Sequence, residues 1–150
     1  DMRVLLLHLR PTELENKTLQ EGLQMILKEL TDKSNIRVVY KDMVKKVPKR
    51  IEDNLFRIAQ EFISNTLKHA KASQIEVYLY QNSQEIQLKM LDNGVGFDLN
   101  ASTDEMSYGL KNIQERVDEM AGTVQFLSAK GKGTSIDVRV PILRGEDNVE

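Results

Sequence analysis

Midway along the 150-residue chain the hydrophobic period changes, and that change limits the folds open to it. From Pro48 to His69 the apolar residues Ile51, Leu55, Ile58, Ala59, Phe62 and Ile63 recur at helical spacing and predict the longest helix. Immediately afterwards, in SQIEVYLYQ, Ile75, Val77 and Leu79 alternate with their neighbours, and Ile86, Leu88 and Met90 do so beyond the polar Gln81-Asn82-Ser83. Two alternating runs about a short polar turn predict a hairpin with one buried face. A long amphipathic helix beside a half-buried hairpin calls for helices layered on a sheet.

The rest of the pattern fits that frame. Met2 to Leu9 is apolar and helix-compatible and stops at Arg10-Pro11, because the residue before a proline disfavours helix. Thr18 to Lys33 reads as an amphipathic helix through Leu19, Leu23, Ile26, Leu27 and Leu30. Ile36 to Tyr40 is a short β-branched strand, and Pro48 suits a first helical turn. Gly94 to Ser107 reads as a loop, and Leu110 to Met120 as a helix ended by Gly122. Val124 to Leu127 and Ile136 to Val140 form a last hairpin around AKGKGT, and residues 142–150 form a charged, patternless tail. Helices and strands do not alternate one for one, which disfavours a doubly wound parallel sheet. The expected class is α+β, an α/β sandwich with a mixed, mostly antiparallel sheet and helices packed on one face.

Composition narrows the chemistry. A net charge of −2, from 21 basic and 23 acidic residues, gives no general attraction for nucleic acid or anionic lipid. The absence of cysteine excludes disulfides, thiolate metal sites and a cysteine nucleophile together. No run is long enough to span a membrane, no His-Glu-x-x-His occurs, and no Ser/His/Asp set can be placed. The chain opens on Asp1 already in a helical pattern, as a piece of a longer protein would.

Two features carry chemistry. On a helical wheel with Glu61 at zero, Asn54, Arg57, Glu61, Asn65 and Lys68 fall within about 40° on either side, and His69 sits at roughly 80°, on the edge of the apolar face. A solvated helix edge is the ordinary account of such a strip. Its content also suits a Mg-phosphate edge, because Glu61 and Asn65 can aim two oxygens at one place and Lys68 follows a turn later. The second feature is LDNGVGFD, where Asp92 ends a strand and Gly94 and Gly96 follow. This is either a tight turn or a loop that lets a ligand approach backbone beside a fixed carboxylate. Gly109 opens the expected 110–120 helix, a possible anion site, and Gly131-Lys132-Gly133-Thr134 links two strands. Neither G-x-x-x-x-G-K-[ST] nor G-x-G-x-x-G is present.

In order, Glu61-x-x-x-Asn65-x-x-Lys68-His69-Ala70, Asp92-x-Gly94-x-Gly96, Gly109-Leu110 and Gly131-x-Gly133-Thr134 resemble the four ATP-binding boxes of the superfamily that includes gyrase, Hsp90, MutL and the sensor histidine kinases. QEFISNTLKHA and YGLKNIQERV resemble the histidine-kinase subgroup that partners LuxR-type response regulators, and more narrowly the LiaS/VraS-type cell-envelope stress sensors of Gram-positive bacteria. The resemblance implies a Bergerat-type ATP-binding fold with ATP and Mg²⁺ as cofactors. Asn65 would ligate the Mg²⁺, Glu61 would hold or activate a water, and Lys68 and His69 would face the phosphates. Asp92 would bind the adenine amino group among Gly94, Gly96, Gly131 and Gly133, with Thr134 supporting it through water. Gly109 and Leu110 would offer amides to the phosphates, and Asp98 to Tyr108 would form a short lid.

The resemblance also implies an organisation. Residues 1–11 would be the remnant of a second dimerisation helix and its linker, 12–144 the catalytic ATP-binding domain, and 145–150 a tail. His8, followed by Leu9-Arg10-Pro11, reads as structural, so the phosphoacceptor histidine is expected upstream of Asp1. The implied partners are the dimerisation helices of the same kinase and a LuxR-type response regulator, with no nucleic acid. The fragment is expected to be a monomer, the full-length kinase a homodimer, and the setting the cytoplasmic side of a membrane-anchored bacterial protein. The competing readings are an anti-sigma-factor-like serine kinase and a nucleotide-dependent interaction module without kinase activity.

Overall fold

A computed structural model describes residues 17–97 and 104–143, the side chains of residues 70 and 104–107 excepted. The 2–9 helix, His8, the Arg10-Pro11 junction, the first part of the expected lid and the end of the tail lie outside the described residues. Helix α1 (Leu19–Lys33) is followed by β1 (Arg37–Met43), α2 (Lys49–Asn65), a π-helical turn (Thr66–Ala70), β2 (Gln74–Gln81), β3 (Glu85–Asp92), α3 (Asp104–Glu119), β4 (Thr123–Ser128) and β5 (Thr134–Pro141).

Each boundary has a local cause. Thr18 caps α1 in a reciprocal box, accepting the Glu21 N–H while the Glu21 carboxylate accepts its own. The Glu52 carboxylate on α2 accepts the Leu19 N–H at 2.7 Å, so α2 ties down the start of α1. The expected break at Gly122 resolves differently. Ala121 takes the left-handed conformation (φ 56°), whereas Gly122 is needed for space, since a Cβ there would stand 2.5 Å from the Arg139 carbonyl oxygen. Helix α3 begins at Asp104 instead of near Leu110, because regular apolar spacing in the sequence starts only at Leu110. The long helix also changes character at its end, passing into the π turn after Asn65.

The five-stranded sheet runs β1-β2-β3-β5-β4, with β1 and β2 parallel and every other pair antiparallel. Alternation buries one face. Ile75, Val77 and Leu79, Ile86, Leu88 and Met90, and Ile136, Val138 and Val140 are all essentially inaccessible and pack with Leu55, Phe56, Ile58 and Phe62 of α2. This is the mixed sheet with one helix-covered face that the sequence predicts. Register arranges the buried face in rows: Leu88 opposes Val138, which opposes Val124, and Met90 opposes Ile136, which opposes Phe126. The next row is Asp92, Thr134 and Ser128. The apolar face thus ends in a polar row.

Candidate nucleotide site

Asp92 occupies the same face as Met90 and Leu88 and is 9% exposed, so its carboxylate must find donors inside the protein. It finds three. Oδ1 accepts the N–H of Gly94 at 2.9 Å and of Thr134 at 3.2 Å, and Oδ2 accepts the Thr66 hydroxyl at 3.0 Å. An ionised carboxylate has about four acceptor positions, so one remains, on Oδ2. Thr66 is also 3.1 Å from the Phe62 carbonyl, and its single proton serves both acceptors.

The glycines make this close packing possible. Gly133 has φ +74°, and a Cβ there would stand 2.1 Å from the Asp92 carbonyl oxygen. Gly96 has φ +65°, and its Cβ would stand 2.0 Å from the Ala129 carbonyl oxygen. Gly94 takes no positive φ; it is buried and delivers its N–H to Asp92. The 93–97 loop is fastened to the β4–β5 turn through Gly131 N–H to Val95 carbonyl and Phe97 N–H to Ser128 Oγ. At its root, Asn93 Oδ1 accepts the N–H groups of Ser73 and Gln74.

Asn65, Thr66, His69, Asp92, Gly96, Leu110 and Thr134 line one small pocket of about 70 Å³, closed on its apolar sides by Phe62, Phe97, Ile113 and Ile136. Within it His69 Nε2 is buried without a hydrogen bond to that atom. The polar strip of α2 is split by α3. Asn65 and His69 face the pocket, while Glu61 and Lys68 face a neighbouring groove of about 390 Å³ with Arg57, Gln60, Asn112 and Arg116. His69 and Lys68 thus line different pockets in this structure. Burial, with the Arg116 charge adding to it, pushes the Arg57 guanidinium below its ordinary range.

Gly109 needs a different account from the sequence expectation. It is the sixth residue of α3, past the four N–H groups that a helix start leaves open. Its missing side chain lets α3 approach α2: a Cβ would stand 2.9 Å from Glu61 Oε2 and 3.2 Å and 3.4 Å from the Asn65 amide atoms. Glu61 Oε2 and Asn65 Oδ1 thus both lie beside Gly109 of α3. Among the described residues no group of three or more His, Cys, Asp or Glu could hold a metal ion. A hard cation here would take few protein oxygens and complete its shell with water and phosphate, which is how Mg²⁺ commonly binds.

Three positions escaped the sequence reading. Thr66 sits at roughly 140° on the wheel, in the middle of the apolar face, and a hydroxyl there is a signal that a buried partner exists. Asn93 carried only its turn propensity, and Ser128 only its place at a strand end.

A sequence model of the histidine kinase-, DNA gyrase B- and HSP90-like ATPases matches residues 50–144. The chain is 43% identical over 99% of its length to Sensor protein VraS of Staphylococcus haemolyticus (strain JCSC1435) and covers 42% of that protein. It is 43% identical over 97% of its length to Sensor histidine kinase LiaS of Bacillus subtilis (strain 168), covering 40% of it. The chain thus spans about two fifths of the length of these relatives. The histidine kinase domain from the blue-light activated histidine kinase of Erythrobacter litoralis EL346 shares the fold with TM-score 0.67 at 17% identity, over 87% of this chain and 64% of that one. Mycobacterial sensor histidine kinase MprB shares it with TM-score 0.61 at 17% identity, over 83% and 95%.

Proposed function

The chain belongs to the histidine kinase-, DNA gyrase B- and HSP90-like ATPase family, and from that membership we propose that it is the ATP-binding catalytic domain of a sensor histidine kinase. In this reading, residues 12–144 bind Mg-ATP and direct its γ-phosphoryl group to a histidine on a dimerisation helix, for relay to a LuxR-type response regulator. The single observation that carries it is the Asp92 carboxylate, buried, held by three donors and left with one acceptor position at the pocket. Such a group selects an amino N–H over a carbonyl oxygen, because an unmet buried acceptor is costly. The exocyclic amino group of adenine meets that demand.

The remaining roles follow from position. Asn65, on the pocket wall, would supply an oxygen to Mg²⁺, and Glu61, also beside Gly109, would hold a water there. Lys68, in the adjoining groove, offers a point charge to phosphate, and His69 borders the base side of the pocket. Gly109 and Leu110 can offer N–H groups to phosphate only once the first turns of α3 release them, so nucleotide binding includes rearrangement of that helix start. Bound Mg-ATP supplies a phosphoryl group whose charge is already partly neutralised, leaving positioning and electrostatics to the protein. Among the described residues no helix is long and apolar enough to cross a membrane. The proposed setting is the cytoplasmic side of a membrane-anchored, homodimeric kinase, with residues 1–11 as the end of a dimerisation helix and 145–150 as a tail.

The test is label transfer from γ-labelled Mg-ATP in the protein extended through its dimerisation helices. The expected product is acid-labile, base-stable label on histidine, lost in Asn65→Ala. Acid-stable label on serine would move the assignment to a serine kinase, and nucleotide binding without any label would leave an interaction module.

A further inference from the structure

Asn93-Gly94 is the only Asn-Gly pair in the sequence, and it directly follows Asp92. Asparagine before glycine is the pair most open to cyclisation, because glycine has no side chain to keep its backbone nitrogen from the preceding side-chain amide. Here each atom that such a reaction needs has a fixed partner. Asn93 Oδ1 accepts the Ser73 and Gln74 N–H groups, both at 2.9 Å. Backbone amides can only donate, so the oxygen faces them and Nδ2 is turned to Ser73 Oγ at 2.8 Å. Two N–H groups on one amide oxygen polarise its carbonyl and stabilise the charge that an attack on Cγ would put there. Asn93 is exposed, so water reaches it. What opposes the reaction is the state of the nucleophile: Gly94 is buried, and its N–H donates to Asp92 Oδ1 at 2.9 Å. An anion on that hydrogen holds it in place and makes its removal harder.

We propose that Asn93-Gly94 is a latent self-modification site, primed for cyclisation and deamidation and held shut by the Asp92 carboxylate. In the reaction the Gly94 nitrogen bonds to Asn93 Cγ and gives up its proton, through water, to Nδ2. The Cγ–Nδ2 bond breaks, and ammonia leaves behind a five-membered imide. Water then opens the imide to aspartate, or to the isomer in which the main chain runs through the side chain. Water is the only co-reactant. Either product removes the donor to Ser73 Oγ and sets a second carboxylate beside Asp92, so the root of the 93–97 loop comes loose. Asp92 thereby has a task apart from any ligand: it preserves the loop that it anchors.

The experiment follows deamidation at Asn93 by peptide mass spectrometry at mildly alkaline pH, well below each unfolding midpoint. The parent, Asp92→Asn, Asp92→Ala and Thr66→Val are compared with the free peptide LDNGVGFD. The parent should react at least about tenfold more slowly than the peptide, and Asp92→Ala should gain roughly ten- to a hundredfold over the parent, the scale of one hydrogen bond to a charged group. Asp92→Asn keeps an oxygen for the Gly94 N–H but no charge, and should fall between them. Thr66→Val releases Asp92 Oδ2 without touching the Gly94 bond, and should react at the parental rate. Asp92→Leu, which continues the apolar row, gives the alanine readout if the alanine variant does not fold. A parent as fast as the peptide, or alanine and leucine variants no faster than the parent, would overturn the proposal. An increase in Thr66→Val equal to that in Asp92→Ala would trace the rate to general loosening of the site, and would overturn it as well.

Discussion

Leu88 and Asp92 stand on the same face of β3, and their surroundings have opposite logic. Leu88 meets Leu79 and Val138 across the sheet and needs only matching volume. Asp92 meets Thr134 and, one strand further, Ser128, and each partner must present a donor or acceptor in the right place. The apolar rows are stabilised by area removed from water, which is tolerant of detail. The polar row depends on the Thr66 hydroxyl, the backbone amides of Gly94 and Thr134, and glycines at positive φ. The lesson is that this site is the continuation of the core by one row, with chemistry replacing packing.

The strongest way to break the comparison is to damage each row in turn. Leu88→Ala should cost about 2–5 kcal/mol in urea unfolding, the usual range for a fully buried leucine, while the folded fraction binds nucleotide like the parent. A variant that stays stable but loses nucleotide would show that the two rows are not separable. Within the polar region, Gly133→Ala combines a left-handed φ with a collision against Asp92 backbone, whereas Gly131→Ala at φ +79° meets nothing within 4 Å. The Gly131 change should cost only about 1–2 kcal/mol. The Gly133 change should cost clearly more and lower ATP affinity with it, both read from paired unfolding and binding curves.

Thr66→Val keeps the shape of the side chain and removes one donor from Asp92. It should cost about 1 kcal/mol of stability and weaken ATP severalfold, without altering α2. Unchanged binding in this variant would mean that the orientation of Asp92 is set by the backbone amides of Gly94 and Thr134 alone.

How much was legible follows from the same contrast. The alternating runs revealed the buried sheet face, and the helical spacing revealed α2, because area-driven packing repeats with a period. Asp92, Asn65 and the glycines stood out through their types and order. Thr66 and Ser128 did not, since each acts through a single partner far away in sequence, and one hydroxyl leaves no periodic trace. The start of α3 was misplaced for a related reason: its first turns carry no regular apolar spacing in the sequence.

The smallest effect sharpens the comparison from outside the site. Burial holds the Glu52 carboxyl above its ordinary value of 4.5, partly offset by the bond from Leu19 N–H. A folded pKa above the unfolded one means that the native state binds more protons in the window between them. The Glu52 contribution is therefore fully present below about pH 4.5 and is lost as pH rises through the folded value. Glu52→Gln keeps an acceptor for Leu19 and should flatten that part of the stability–pH curve, measured as Tm across pH 4 to 7, with ATP affinity unchanged. Parallel curves for parent and variant would contradict the assignment.

The central claim, that the polar row is a base-reading site, is tested most directly by calorimetric titration of the protein with ATP, with and without Mg²⁺, beside Asp92→Asn. The account predicts saturable binding strengthened by Mg²⁺ in the parent. In the variant binding should be largely abolished, because an amide N–H₂ would face the adenine amino group, while the unfolding midpoint changes little. Parental affinity in Asp92→Asn, or no binding by a folded parent, would contradict it.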